Sequence, residues 1–152
     1  LVPLVRGNVD RLRDEVHGEV TFHAAYQPMR SVRTERWNFI QHFDPEWRRP
    51  VLPNCDAGGS KDLWHAHGWQ QRELPELELY DLLFDPTEAH NLAYDPEYEE
   101  VLTDMQRRLS RWMEATDDPI LRGPVSLPEH GRMAAVNGVA VDVKGREKFL
   151  PS

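Results

Sequence analysis

The sequence predicts an α+β fold: a small antiparallel sheet packed with one long C-terminal helix, followed by an irregular tail. Two observations carry most of this. Apolar and polar residues alternate with a period of two over residues 19–26 and again over 37–43, as half-buried strands do. Only one stretch has a long helical period, with Tyr98, Val101, Leu102, Met105, Leu109, Trp112 and Met113 forming a single apolar stripe. A third observation sets the order. Short strands come first and the helix last, the pattern of a helix laid on one face of an antiparallel sheet.

The first strand is read from Glu15 to Tyr26. Val20, Phe22, Ala24 and Tyr26 alternate there with Glu19, Thr21, His23 and Ala25. Gln27-Pro28 is expected to break it, because proline restricts its predecessor and donates no hydrogen bond. Met29 to Thr34 and Trp37 to Phe43 then read as two short strands joined near Glu35-Arg36, with Trp37, Phe39, Gln41 and Phe43 on one face. Asp44 to Ser60 is loop-like, holding Pro45, Pro50, Pro53 and Gly58-Gly59. Ser60 is the expected N-cap of a short helix through Asp62, Leu63 and Trp64. Glu76 to Phe84 reads as a further strand, closed by the turn signal Asp85-Pro86.

The long helix is expected from Pro96 to Ala115. Asp95 can cap it, and Pro96 fits the first turn, where its missing N–H would be unpaired anyway. Glu97, Glu99 and Glu100 open it and Arg107, Arg108 and Arg111 lie towards its end, as the helix dipole favours. After Asp117-Asp118-Pro119 the chain becomes a tail. A small hairpin is expected at Asn137-Gly138, flanked by Ala135-Val136 and Val139 to Val141. Residues 1–125 are thus expected to form one subdomain and 126–152 an extended tail.

The 152 residues suit one domain. Hydrophobic residues make up 39% and charged residues 29%, which argues against wholesale disorder. No apolar run is long enough for a membrane span, and Leu1 to Arg13 has neither the basic start nor the apolar core of a signal peptide. The net charge of −8 is uneven: Glu73 to Asp104 holds eleven acids and no Lys or Arg, leaving the rest at +3. That balance argues against nucleic acid as a partner. Cys55, the single cysteine, makes neither an internal disulfide nor a thiolate metal site. His65 and His67 would share a face on a strand and suit zinc there, but their segment reads as helix or loop without a third ligand.

Two stretches carry a family resemblance. Tyr26-Gln27-Pro28-Met29-Arg30-Ser31-Val32-Arg33-Thr34-Glu35-Arg36-Trp37 resembles a Y-x-P-M-R-x-V-R-T-x-R-aromatic pattern. Glu78-Leu79-Tyr80-Asp81-Leu82 followed by Asp85-Pro86-Thr87-Glu88-Ala89-His90-Asn91-Leu92-Ala93 resembles an E-L-Y-D-L…D-P-x-E-x-x-N-L-A signature. Both are features of the C-terminal subdomain of type I sulfatases, closest to the N-sulfoglucosamine sulfohydrolase (sulfamidase-like) branch. Leu1 to Gly7 also resembles the leucine–proline segment that follows the catalytic domain in these enzymes. The similarity covers roughly residues 1 to 125. Asp85, Thr87 and Asn91 read independently as turn-forming residues with a structural role.

The resemblance implies a parent enzyme that hydrolyses sulfuric esters or sulfamates on sulfated sugars. Type I sulfatases use a formylglycine made within C/S-x-P-S-R and a calcium ion held by Asp and Asn oxygens. Cys55 is followed by Asp56-Ala57-Gly58, and no other Cys or Ser fits that motif. The chain is therefore expected to carry no catalytic residue and no metal ligand, to be inactive alone, and to pack against a catalytic domain that supplies both. The resemblance further implies that His23, Arg30 and Glu19 face the substrate, His23 as a donor and Arg30 through its planar fork; the residues by themselves equally suit fold-supporting bonds at His23, ion pairing of Arg30 and Arg33 with the acidic flank, and a Glu19 that is solvated or paired to one of those arginines. Ala24 departs from the acid that often follows the histidine in this family. The alternative is a noncatalytic stand-alone module that binds anionic carbohydrate or a protein partner.

Overall fold

Each strand pairs with the next one along the chain. In the computed structural model, which describes residues 1–139 and 149–150, a short helix α1 (Val2–Val5) leads into β1 (Val16–Phe22), β2 (Tyr26–Arg33) and β3 (Trp37–His42). A helix α2 (Gly59–Ala66) lies in the long connection to β4 (Leu77–Asp81), and α3 (Glu99–Ala115) follows. The four strands form one antiparallel sheet in the order β1-β2-β3-β4, confirming the α+β class.

The register explains where the core sits. His17, Val32, Phe39 and Leu79 stand opposite one another across the four strands and share a face. Against that face α3 lays Met105, Leu109 and Met113, with Ala93 and Ile120 completing the buried cluster. Each large side chain removed from water contributes about 1.5–3 kcal/mol. Burial of this one stripe, rather than helix propensity, is what holds α3 on the sheet. The helix also reaches β1, where Trp112 stacks on His17 with ring centroids 4.8 Å apart and planes 4° from parallel.

The helix begins and ends as its caps dictate. Asp95 accepts from Glu97 N at 3.0 Å, and Pro96–Tyr98 forms a 3-10 turn before the α-helix proper. At the other end Asp117 adopts a left-handed φ of +52°. Asp118 N then bonds Met113 O at 2.9 Å and Asp117 N bonds Glu114 O at 3.2 Å, which is a Schellman closure. This closure sets the direction in which Asp118 leaves the helix.

The signature around Asn91 has a structural reason. Asn91 donates to Leu77 O and accepts from Leu79 N, both at 2.9 Å, and Leu92 N bonds Leu79 O at 2.8 Å. The segment therefore fills the hydrogen-bonding side of β4 that no strand covers. Asp85 Oδ2 accepts from His90 N at 2.8 Å, and backbone donors from His90 and Ala89 hold its pKa below the ordinary carboxylate value.

Three expectations are revised. Pro28 does not break a strand but lies buried inside β2. From Phe22↔Tyr26 to Val20↔Met29, β1 advances two residues and β2 three, so a bulge absorbs the position that proline cannot pair. The turn falls earlier, at residues 23–25, and ends β1 at Phe22. Helix α2 starts after Gly58 rather than Ser60, with no side-chain cap bond. In the tail, β5 (Met133–Ala134) pairs with β6 (Phe149–Leu150), and Gly138 N bonds Ala135 O at 2.9 Å across a turn. Ala140 and Val141 of the expected hairpin lie outside the described residues.

Candidate functional site

The sequence-named residues lie towards one end of the sheet, on either side of the bulge. Glu19 and Arg30 are cross-strand partners on β1 and β2. His23 lies past the register shift, exposed in the β1–β2 turn. The structure thus brings Glu19 and Arg30 together and sets His23 apart.

Arg30 takes the ion-pair alternative, though with Asp118 rather than the acidic flank. It is 1% exposed, and its fork is closed on Asp118 rather than open to a ligand. Nε donates to Asp118 Oδ2 at 2.5 Å and Nη2 to Oδ1 at 2.9 Å. Nη1 donates to the carbonyls of Val20 and Met29, at 2.7 and 2.9 Å, and Nη2 also reaches Thr21 Oγ1. Every guanidinium nitrogen has a partner inside the fold, as a buried cation requires. Arg30 favours the ionised form of Asp118 and holds its pKa below the ordinary value, against the opposing effect of burial. Glu19 stands 3.8 Å from Arg30 Nε with its side chain 64% exposed, so it keeps a solvent-facing carboxylate.

The turn that carries His23 is held from outside the sheet. Asn54 Oδ1 accepts from Ala24 N at 2.9 Å and from Ala25 N at 2.7 Å. Asn54 Nδ2 donates to Ala25 O at 3.3 Å and to Gln27 Oε1 at 2.9 Å. Ala134 N, on β5, bonds Ala24 O at 2.7 Å. Ala25, Val51 and Ala134 form a second small core there, with Trp47 and Val136 packed against it.

Beside this turn runs an open groove of about 670 Å³ between the loop after β3 and the tail strand. Tyr26, Trp47, Met133 and Val136 supply apolar walls, and Asp44 and Glu46 line one side. Among the described residues no Lys, Arg or His lines it, and those walls suit a neutral ring better than a sulfate group. Asp44 is partly committed, since its Oδ1 accepts from Glu46 N and Trp47 N at 2.9 and 3.1 Å. The indole N–H of Trp47 is buried without a partner among the described residues.

A polar cluster occupies the sheet face away from α3. Glu78 bonds His42 Nε2 at 2.7 Å and also the Tyr80 hydroxyl. Burial alone would raise the Glu78 pKa, but the bonds from His42 and Tyr80 outweigh it and hold the group below its ordinary value. Burial and then Glu78 push the Tyr80 pKa well up. On the same face Val16, Val20, Met29 and Ile40 stay partly open, around a shallow depression at Gly18 and Ser31.

Among the described residues no three of His, Cys, Asp and Glu converge as metal ligands. His65 and His67 lie at or just after the end of α2, two positions apart on a helical course, and His67 Nδ1 is engaged by Leu63 O at 2.9 Å. No described helix is long and apolar enough to cross a membrane. Sequence reasoning missed Asn54, Trp47 and Asp118: the bonds of Asn54 to residues 24–27 and of Asp118 to Arg30 span 27 to 88 positions and leave no local pattern.

No family model matches the chain. The ulvan-active sulfatase of Formosa agariphila is 28% identical over 132 residues, which is 84% of this chain and 26% of that protein. The N-sulphoglucosamine sulphohydrolase of Homo sapiens is 28% identical over 120 residues, 71% of this chain and 23% of that protein. A solved structure of a 2-O GAG sulfatase superposes with a TM-score of 0.55 at 21% identity, over 86% of this chain and 22% of the other. The chain spans about a quarter of the length of these relatives.

Proposed function

We infer that this chain, related to sulfatases over most of its length and sharing their α+β fold, is the C-terminal part of a sulfatase that acts on sulfated sugars. The observation that carries the reading is the coverage: 84% of this chain corresponds to 26% of an ulvan-active sulfatase. In this reading the catalytic domain, with its formylglycine and calcium, belongs to the remainder of the polypeptide. This chain contributes packing and part of the substrate cleft.

Two structural features support the division of labour. One sheet face is closed by α3, while the other leaves Val16, Val20, Met29 and Ile40 partly open, as a face that docks on a larger body would. His23 is exposed in a turn with fixed backbone, so it is the sequence-named residue best placed to donate to a sugar or sulfate oxygen. Glu19 joins it as an exposed acceptor, whereas Arg30 supports the turn's strands rather than the ligand.

The upstream reading frame tests this. It is expected to encode C/S-x-P-S-R and the metal-binding aspartates in frame with Leu1. The joined polypeptide should release sulfate from a sulfated oligosaccharide, and His23→Ala should lower its kcat/KM. Sulfate release by the purified 152-residue chain alone, or an upstream frame without the motif, would refute the reading.

A further inference from the structure

We propose that Asn54 is the positioning residue of the His23 turn, a proposal that rests on the reading of His23 as the substrate-facing side chain. A carboxamide offers one oxygen with two lone pairs and two N–H donors. Asn54 uses all of them on residues 24–27: the oxygen on Ala24 N and Ala25 N, the nitrogen on Ala25 O and Gln27 Oε1. Its orientation is unambiguous, because only oxygen can face two backbone N–H groups.

The turn needs such a support. Ala25 is fully buried, so water does not satisfy its backbone N–H and C=O. Neither Ala24 nor Ala25 has a side chain able to form a bond of its own. Within the turn the one other backbone bond is His23 N to Ala25 O, at a long 3.3 Å. Asn54 is itself fixed: it ends a 3-10 turn whose Leu52 and Pro53 are buried, and its N bonds Val51 O at 3.0 Å. The exposed imidazole is thereby mounted on a backbone set from 30 positions away. A ligand meeting His23 would then find the turn already ordered and would not have to order it on binding.

The test uses the full 152-residue chain as wild type, His23→Ala, Asn54→Ala and Asn54→Asp. Amide hydrogen exchange is read at Ala24 and Ala25, with Val32, Phe39 and Leu79 as sheet controls. Affinity is read with a sulfated heparin-derived hexasaccharide and its desulfated form. Asn54→Ala is expected to speed exchange at Ala24 and Ala25 while sparing the controls, and to weaken binding by roughly five- to thirty-fold, as the ordering of one residue's backbone would. Asn54→Asp keeps an acceptor for Ala24 N and Ala25 N but sets its second oxygen against Ala25 O and Gln27 Oε1, so protection should fall between wild type and Asn54→Ala. Unchanged exchange in Asn54→Ala overturns the proposal. So does a loosened turn with His23-dependent binding intact. Should the wild type not bind the hexasaccharide, or His23→Ala bind it equally well, the reading of His23 fails. The exchange data then still decide whether Asn54 sets the turn.

Discussion

Removing the Asp118 carboxylate should have a larger effect than any other single substitution of a polar residue in this fold. Arg30 and Asp118 are each 1% exposed and joined by two charge-assisted bonds of 2.5 and 2.9 Å. Asp118→Ala leaves the guanidinium buried with only Val20 O, Met29 O and Thr21 Oγ1 as close partners. Breaking a buried pair on one side costs about 3–5 kcal/mol. Asp118 also caps the 3-10 turn at Pro119–Arg122 by accepting from Ile120 N at 3.0 Å, and losing such a cap costs about 1 kcal/mol. Against a total stability of about 5–15 kcal/mol, a combined loss of about 4–6 kcal/mol removes about a quarter or more of it and brings a domain at the low end of the range close to unfolding at 25 °C. Asp118→Asn keeps the shape and the cap and should lose about 2–3 kcal/mol, the worth of a charged hydrogen bond. Arg30→Met combined with Asp118→Leu removes both charges and should recover most of the loss.

Urea unfolding at pH 7, followed by tryptophan fluorescence and far-UV circular dichroism, measures all of these. An Asp118→Ala variant within about 1 kcal/mol of wild type would refute the reasoning, since it lies far below the expected loss. A double variant no more stable than the sum of its singles would refute it too. The pH dependence has a definite sign. The folded pKa of Asp118 is lowered, chiefly by Arg30, so its contribution is complete above the unfolded value of about 3.9 and is lost as pH falls towards the folded one. Asp118→Asn should lack that acid-side loss.

Three further outcomes are expected. Asn91→Ala should destabilise the chain by about 2–3 kcal/mol, because it strands Leu77 O and Leu79 N on the uncovered side of β4; slower exchange at neighbouring amides than in wild type would contradict this. Asp117→Gly should stabilise by about 1 kcal/mol, relieving a left-handed backbone at φ +52°, even though the exposed pair with Arg122 is lost; a lower Tm would count against it. In a spectrophotometric titration, Tyr80 should resist ionisation until the sheet opens, because burial and Glu78 both disfavour its phenolate; loss of an early-ionising step in Tyr80→Phe would exclude the Glu78 contact.

What the sequence revealed depended on whether a signal was local. The helix stripe from Tyr98 to Met113 and the alternation from Trp37 to Phe43 were legible, because both periods are properties of a few consecutive residues. Pro28 was misread as a breaker because a bulge is defined by the register of the partner strand, which no single strand displays. The sulfatase kinship was carried by the Asn91 signature, and its cause became visible only once Asn91 met the backbone of β4. Arg30 looked available as a ligand-binding fork because its carboxylate partner lies 88 residues on. Asn54 gave no hint at all, since its role is to hydrogen-bond a turn 29 and 30 positions earlier.

The two margins of the sheet are unlike. Beyond β4 the ladder positions are taken by Asn91 and Leu92, whereas among the described residues β1 pairs only with β2. The sheet is therefore extensible in one direction: an added strand, from a continuation of the polypeptide or from a neighbouring molecule, would align beside Val16–Phe22. Lys or Pro introduced along that margin should suppress such growth, and the same changes beside β4 should leave self-association untouched.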